Sequence, residues 1–126
     1  MWELTKSFRF EAAHTLTGTT LGEVSEEIHG HSYRAEVTIR GVPDARTGMI
    51  VDLGALEQRL DRVRRRLDHR LLDKINALGA PTLENLARFI WDEVAELEQP
   101  VDLVRVTVYR DSCGEACSYR RPEGAR

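Results

Sequence analysis

The chain has 126 residues, 41% of them hydrophobic, which suits one domain with its own core and excludes wholesale disorder. Its 18 basic and 21 acidic residues give a formal net charge of −3, which argues against a nucleic-acid binder that works through a broad basic field. No apolar run approaches the roughly 20 residues of a membrane helix, and Met1-Trp2-Glu3-Leu4-Thr5-Lys6 lacks the apolar core of a signal peptide, so the expectation is a soluble, cytoplasmic protein without a membrane partner.

In chain order, Trp2, Leu4, Phe8 and Phe10 alternate with mostly polar residues over 2–13, the pattern of a half-buried strand. Residues 15–27 are rich in Thr and Gly without periodicity and are read as a loop. Tyr33, Ala35, Val37 and Ile39 then alternate with Arg34, Glu36, Thr38 and Arg40, a second strand ended by Gly41 and a Pro43-Asp44 turn. Asp52 is an N-cap for a helix whose Leu53, Leu56, Leu60, Val63 and Leu67 recur at spacings of three and four. Arg59, Arg62, Arg64, Arg65 and Arg66 occupy its polar face; a solvated helix face is the simpler reading, phosphate attraction the sharper one. Pro81-Thr82 opens a second helix with a stripe of Leu83, Leu86, Ile90, Val94 and Leu97, closing before Pro100. Val104, Val106 and Val108 mark a third strand over 101–109, and a fourth lies near 116–120. The order ββααββ, without repeats or an internal linker, predicts an α+β fold: one domain over 1–121 with a tail at 122–126, an antiparallel sheet covered on one face by helices.

All four histidines fall at positions of interest. In extended chain, His29 and His31 of His29-Gly30-His31 project to one face and can converge on one ion. His14 ends the first strand, the expected antiparallel neighbour of the second, so a third imidazole can complete a three-histidine site with an open fourth position, the arrangement of catalytic zinc. Spacing alone leaves open the plainer reading, that these are hydrogen-bonded surface or core residues. His69 follows Asp68 at the end of the arginine-rich helix. A carboxylate beside an imidazole can fix its tautomer for general acid–base work, or the histidine can simply answer the helix dipole.

Phe10-Glu11-Ala12-Ala13-His14, His29-Gly30-His31-Ser32-Tyr33, Gly48-Met49-Ile50-Val51-Asp52, Leu67-Asp68-His69 and Pro81-Thr82-Leu83-Glu84-Asn85 occur in an order and spacing that resemble the 6-pyruvoyl-tetrahydropterin synthase and 6-carboxy-tetrahydropterin synthase family. The resemblance spans nearly the whole chain. It implies a T-fold, in which trimers close their sheets into a barrel and stack as a homohexamer with active sites between subunits. It implies Zn2+ held by His14, His29 and His31, a proton pathway through Asp68 and His69, and a pterin beside Thr82, Leu83 and Glu84. The implied substrate is 7,8-dihydroneopterin triphosphate, remodelled at its C6 side chain.

Two positions depart from that pattern. The family's usual cysteine, four residues before the first histidine of His-Gly-His, is Ser25 here, and a serine hydroxyl is a poor base unless another group activates it. Glu26 instead gives Glu26-Glu27-Ile28-His29-Gly30-His31, similar to the variant subgroup with a Glu-x-x-His-Gly-His motif that releases 6-hydroxymethyl-7,8-dihydropterin for folate synthesis. Under that resemblance Glu26 is the base; taken alone it is a solvated loop residue. The alternatives are the 6-carboxy-tetrahydropterin step of queuosine and 7-deazaguanine synthesis, or a pterin- or metal-binding paralogue without catalysis. The second departure concerns the glutamate that the family aims at the pterin's N–H donors. Counting from the third strand puts Arg110 there, and counting back from Tyr119 puts Asp111 there; only Asp111 can accept those donors, with Glu115 the further candidate.

Overall fold

The computed structural model describes residues 1–15, 27–96 and 102–122. Two long strands, β1 (Trp2–His14) and β2 (His29–Gly41), run antiparallel through their full length, with Trp2 opposite Gly41 and His14 opposite His29. Helix α1 (Leu53–Leu67) follows, then a two-residue strand β3 (Arg70–Leu71) and a 3-10 turn (Leu72–Lys74). Helix α2 (Leu83–Ala95) leads to strand β4 (Asp102–Arg110), a second 3-10 turn (Asp111–Cys113) and strand β5 (Glu115–Arg120). The sheet order is β3-β1-β2-β4-β5.

The predicted α+β architecture is present, with one amendment to the antiparallel sheet. β3 pairs parallel to the end of β1, Ala12 opposite Arg70 and Ala13 opposite Leu71, which makes the sheet mixed. Two residues carry no periodicity, so this strand has no signature in the sequence. Predicted Leu97 and Val101 fall outside the described residues, as do residues 16–26 of the expected loop.

Alternation decides what each strand buries. Phe10, Ala12 and His14 of β1, Tyr33, Ala35, Val37 and Ile39 of β2, and Val106 and Val108 of β4 share the face that packs on the helices. From the helices, Leu56, Leu60, Val63 and Leu67 of α1 and Leu86, Ala87, Ile90 and Val94 of α2 complete one core. Asp52 caps α1 through Gly54 N–H, and Thr82 caps α2 through Asn85 N–H. Leu53, which the periodicity assigns to the buried stripe, is instead 49% exposed in the first turn of α1. Three arginines of the α1 face pair within the subunit: Arg64 with Asp61 and Asp68, Arg65 with Asp61, and Arg66 with Glu93 while lying over the Phe89 ring. Arg59 is buried. These pairs favour the structural reading of the run over phosphate attraction.

Among the described residues the opposite sheet face carries no helix, and it is polar. Thr5 bonds Thr38, Thr107 bonds Ser118, Ser32 donates to Glu11, and the Tyr109 hydroxyl donates to Glu36.

Candidate metal centre and active site

The antiparallel register brings the three candidate ligands together. His14 stands directly opposite His29, and Ala12 opposite His31, so all three imidazoles lie on the helix-facing side at one end of the β1–β2 pair. One nitrogen from each ring lies within 4.8 Å of the others, and the ring centroids are 4.6, 4.9 and 5.0 Å apart. His14 is fully buried and the other two are half-buried.

Hydrogen bonds behind the rings fix which nitrogens face inward. His14 Nδ1 lies 3.0 Å from the Pro81 carbonyl oxygen, and His29 Nδ1 lies 2.8 Å from that of Glu27. A carbonyl can only accept, so both Nδ1 atoms carry a proton, and in the neutral ring it is Nε2 that presents a lone pair. These two Nε2 atoms are 3.0 Å apart. His31 Nε2 is buried without a hydrogen-bond partner. Lone pairs crowded together in this way repel unless a proton or a cation lies between them. Burial lowers the pKa of His14 and of His31, and neighbouring positive groups add to the effect, so a proton is disfavoured. The donor set fits a divalent metal: three imidazoles with converging ring nitrogens, two of them backed by carbonyls, are the donor type that holds zinc.

The residue the sequence did not single out here is Pro81. Its carbonyl lies next to the α2 N-cap and 67 residues from His14, so the Pro81-Thr82-Leu83-Glu84-Asn85 segment acts first as a brace for the histidine centre. Thr82 is committed to capping, Leu83 is buried, and Glu84 is exposed in the first turn. Asp73 extends the brace: its carboxylate accepts from Thr15 N–H at 2.9 Å and from the Thr15 hydroxyl, just past His14.

Asp68 and His69 do touch. Asp68 Oδ2 lies 3.0 Å from His69 Nδ1 and takes Arg64 at 3.0 Å, while Oδ1 accepts Glu11 N–H at 2.9 Å. The Glu11 amide, with the partly opposing burial and the charges of His69 and Arg64, holds the Asp68 carboxyl below its ordinary range. His69 has a left-handed φ of 57° and a side chain 78% exposed, and its amide donates to Glu11 O. A cleft of about 470 Å3 is lined by Glu11, Ala12, Ala13, Gly30, His31, Ser32, His69, Arg70 and Leu71. Glu11 and Ser32 of this lining belong to the helix-free face, and His69 also borders a second cleft beside Arg65, Arg66 and Lys74.

Asp111 stands apart from the three imidazoles. Its two oxygens take the Nε and NH2 of Arg34 at 3.1 and 3.3 Å on the helix-free face, and Arg34 stacks over Tyr109. The residue on the histidine side is Arg110, whose guanidinium bonds Glu115 at 3.1 Å and whose side chain is 13% exposed. Tyr33, packed against the His31 ring, has its hydroxyl beside Arg110; burial pushes that hydroxyl up to about 12, so it stays protonated. Ser25 and Glu26 lie outside the described residues.

The family model described as 6-pyruvoyl tetrahydropterin synthase matches residues 3–122. The chain is 35% identical to the 6-pyruvoyl tetrahydrobiopterin synthase of Drosophila melanogaster, over 94% of this chain and 79% of that one. It is also 35% identical to the 6-carboxy-5,6,7,8-tetrahydropterin synthase of a Synechocystis strain, over 97% and 95% of the two chains. A dihydroneopterin monophosphate aldolase of Pyrococcus furiosus is 35% identical over 79% of this chain and 82% of its own. Among solved structures, the Caenorhabditis elegans 6-pyruvoyl tetrahydropterin synthase superposes with a TM-score of 0.82 at 26% identity, covering 95% of each chain. Sequence along nearly the whole chain and a shared fold agree: the chain belongs to the 6-pyruvoyl tetrahydropterin synthase family.

Proposed function

We propose that the chain is a zinc-dependent lyase that cleaves or remodels the C6 side chain of 7,8-dihydroneopterin triphosphate in the cytoplasm. The observation that carries this is the set of three imidazoles whose ring nitrogens converge within 4.8 Å, two of them held by carbonyls, in a chain whose relatives are pterin synthases and an aldolase by name. His14, His29 and His31 hold the metal, which when bound supplies a Lewis acid for side-chain oxygens. Glu26, three residues before His29, takes the proton from a side-chain hydroxyl in place of the missing cysteine. Asp68 orients His69, which hands a proton to or from the other side of the side chain. Thr82, Leu83 and Glu84 form the wall beside the pterin through the start of α2.

The Ser25-Glu26 pattern favours release of 6-hydroxymethyl-7,8-dihydropterin, and the aldolase relative supports that direction; the carboxy-tetrahydropterin synthase relative supports the second reading. Incubation with dihydroneopterin triphosphate and chromatography of the products separates the two. Formation of 6-carboxy-tetrahydropterin by the unaltered protein would remove the folate-type reading. Turnover unchanged in Glu26→Ala would remove Glu26 as the base, and no turnover by the unaltered, metal-loaded protein would return the chain to a binding role.

Because the His69 side chain is 78% exposed beside the edge strand β3, we place it in the site of a neighbouring copy within a homohexamer. Mixing His29→Ala with His69→Ala subunits tests this: restored turnover supports a shared site, and none refutes it.

A further inference from the structure

The second cleft beside His69, of about 990 Å3, gathers positive charge that the proposed reaction leaves unused. Arg65 and Arg66 reach it from the last turn of α1, Arg70 from β3 and Lys74 from the first 3-10 turn, and no carboxylate is among its described lining residues. The nearby carboxylates are held elsewhere: Asp61 by Arg64 and Arg65, Glu93 by Arg66, Asp68 by Arg64, His69 and the Glu11 amide, and Asp73 by Thr15. Arg70 and Lys74 are exposed and, among the described residues, have no carboxylate partner. The free charge therefore lies outside the α1 run, whose arginines are paired. In a chain of net charge −3, two free cations beside two paired arginines make a local field that attracts anions.

The position of the cleft names the anion. His69, Arg70 and Leu71 line both this cleft and the one that His31 and Gly30 border, so the two meet at His69. A substrate side chain that exchanges a proton with His69 and carries phosphate on its terminal carbon brings that phosphate to the same place. We propose that Arg70 and Lys74, with Arg65 at the rim, hold the phosphate chain of the substrate, so that the protein prefers a triphosphate ester over the same pterin with one phosphate or none. The proposal rests on the pterin reading above and adds a specificity to it: the three histidines meet the same side-chain oxygens whatever the phosphate count, so discrimination falls to the cations. A guanidinium fork matches two phosphate oxygens at once, and an ammonium on a long stem follows a flexible chain as a point charge. Two cations on separate elements favour several phosphates over one.

The test uses the assembled, metal-loaded full chain, with fully oxidised neopterin, its monophosphate and its triphosphate as fluorescent, non-reacting probes in a binding titration at low ionic strength. The unaltered protein is expected to bind the triphosphate about 10-fold more tightly than neopterin, with the monophosphate between them and a preference that shrinks as salt is raised. Arg70→Gln and Lys74→Gln are each expected to reduce that preference by about 3- to 5-fold, the upper range for an exposed charge pair. The control Arg62→Gln removes a positive charge outside the cleft and should keep it. Metal analysis and sedimentation of each variant separate loss of contact from loss of the centre or of assembly, and the comparison of probes on the unaltered protein depends on no variant. Equal affinity of the unaltered protein for neopterin and its triphosphate, or a preference kept in full by both variants, overturns the phosphate role and leaves the pterin reading standing. Binding of none of the three probes by the metal-loaded protein overturns both.

Discussion

Asp68→Ala tests whether the Asp68 carboxylate ties the end of α1 to β1. Asp68 is the C-cap of α1 and its side chain is 20% exposed. Truncation removes the bond from Glu11 N–H to Oδ1 at 2.9 Å and the i,i+4 pair with Arg64 at 3.0 Å. A hydrogen bond to a charged acceptor contributes about 1.5–3 kcal/mol, and the lower end applies because water can reach this amide. The Arg64 pair adds about 0.5 kcal/mol, and the exposed His69 contact adds little. The expected loss is about 2 kcal/mol at neutral pH, read by urea denaturation. The carboxyl is held below its ordinary value of 3.8 in the folded chain, so its contribution is present above that value and disappears as pH falls through the depressed folded value. The gap between variant and parent should therefore close in acid. A loss under about 0.5 kcal/mol at neutral pH, or a gap that persists below about pH 2, would refute the assignment.

Chelation should lower the melting temperature of the metal-loaded chain, since a ligand at about a hundred times its dissociation constant stabilises by ~2.7 kcal/mol; His14→Ala should remove both the metal and the shift, as measured by elemental analysis and calorimetry. Thr82→Ala removes the cap of α2 and should cost about 1 kcal/mol in chemical denaturation. Because the neighbouring Pro81 carbonyl orients His14, the same variant should also weaken metal binding in competition with a chelator, and unchanged affinity would reject the brace. Ile90→Ala, fully buried between α2 and the sheet, should cost about 2–5 kcal/mol, and a smaller loss would show that the core collapses around the cavity.

Much of the fold was legible because its signals are local. Period-two alternation placed β1, β2 and β4, and spacings of three and four placed both helices, since a strand or helix repeats its buried positions within a few residues. His29 and His31 declared themselves in the same way, as i and i+2 on one strand. The features that escaped have no local period. β3 is two residues long, its parallel pairing set by where Asp68 and the His69 amide dock on Glu11. Counting along the chain could not separate Arg110 from Asp111, because the 3-10 turn after β4 sets the direction of each side chain, sending Asp111 to Arg34 and leaving Arg110 with Glu115.

The sequence by itself determined the long strands and the two helices, the three histidines and the family to which their spacing belongs. Only the tertiary structure decided that His14 lies opposite His29, that a carbonyl 67 residues away sets its tautomer, and that Asp68 ties His69 and Arg64 to the Glu11 amide. The physical reason is that side-chain type and spacing are properties of a short stretch of chain. Register, hydrogen-bond partner and sheet face are relations between stretches, and they are fixed only when distant segments pack together.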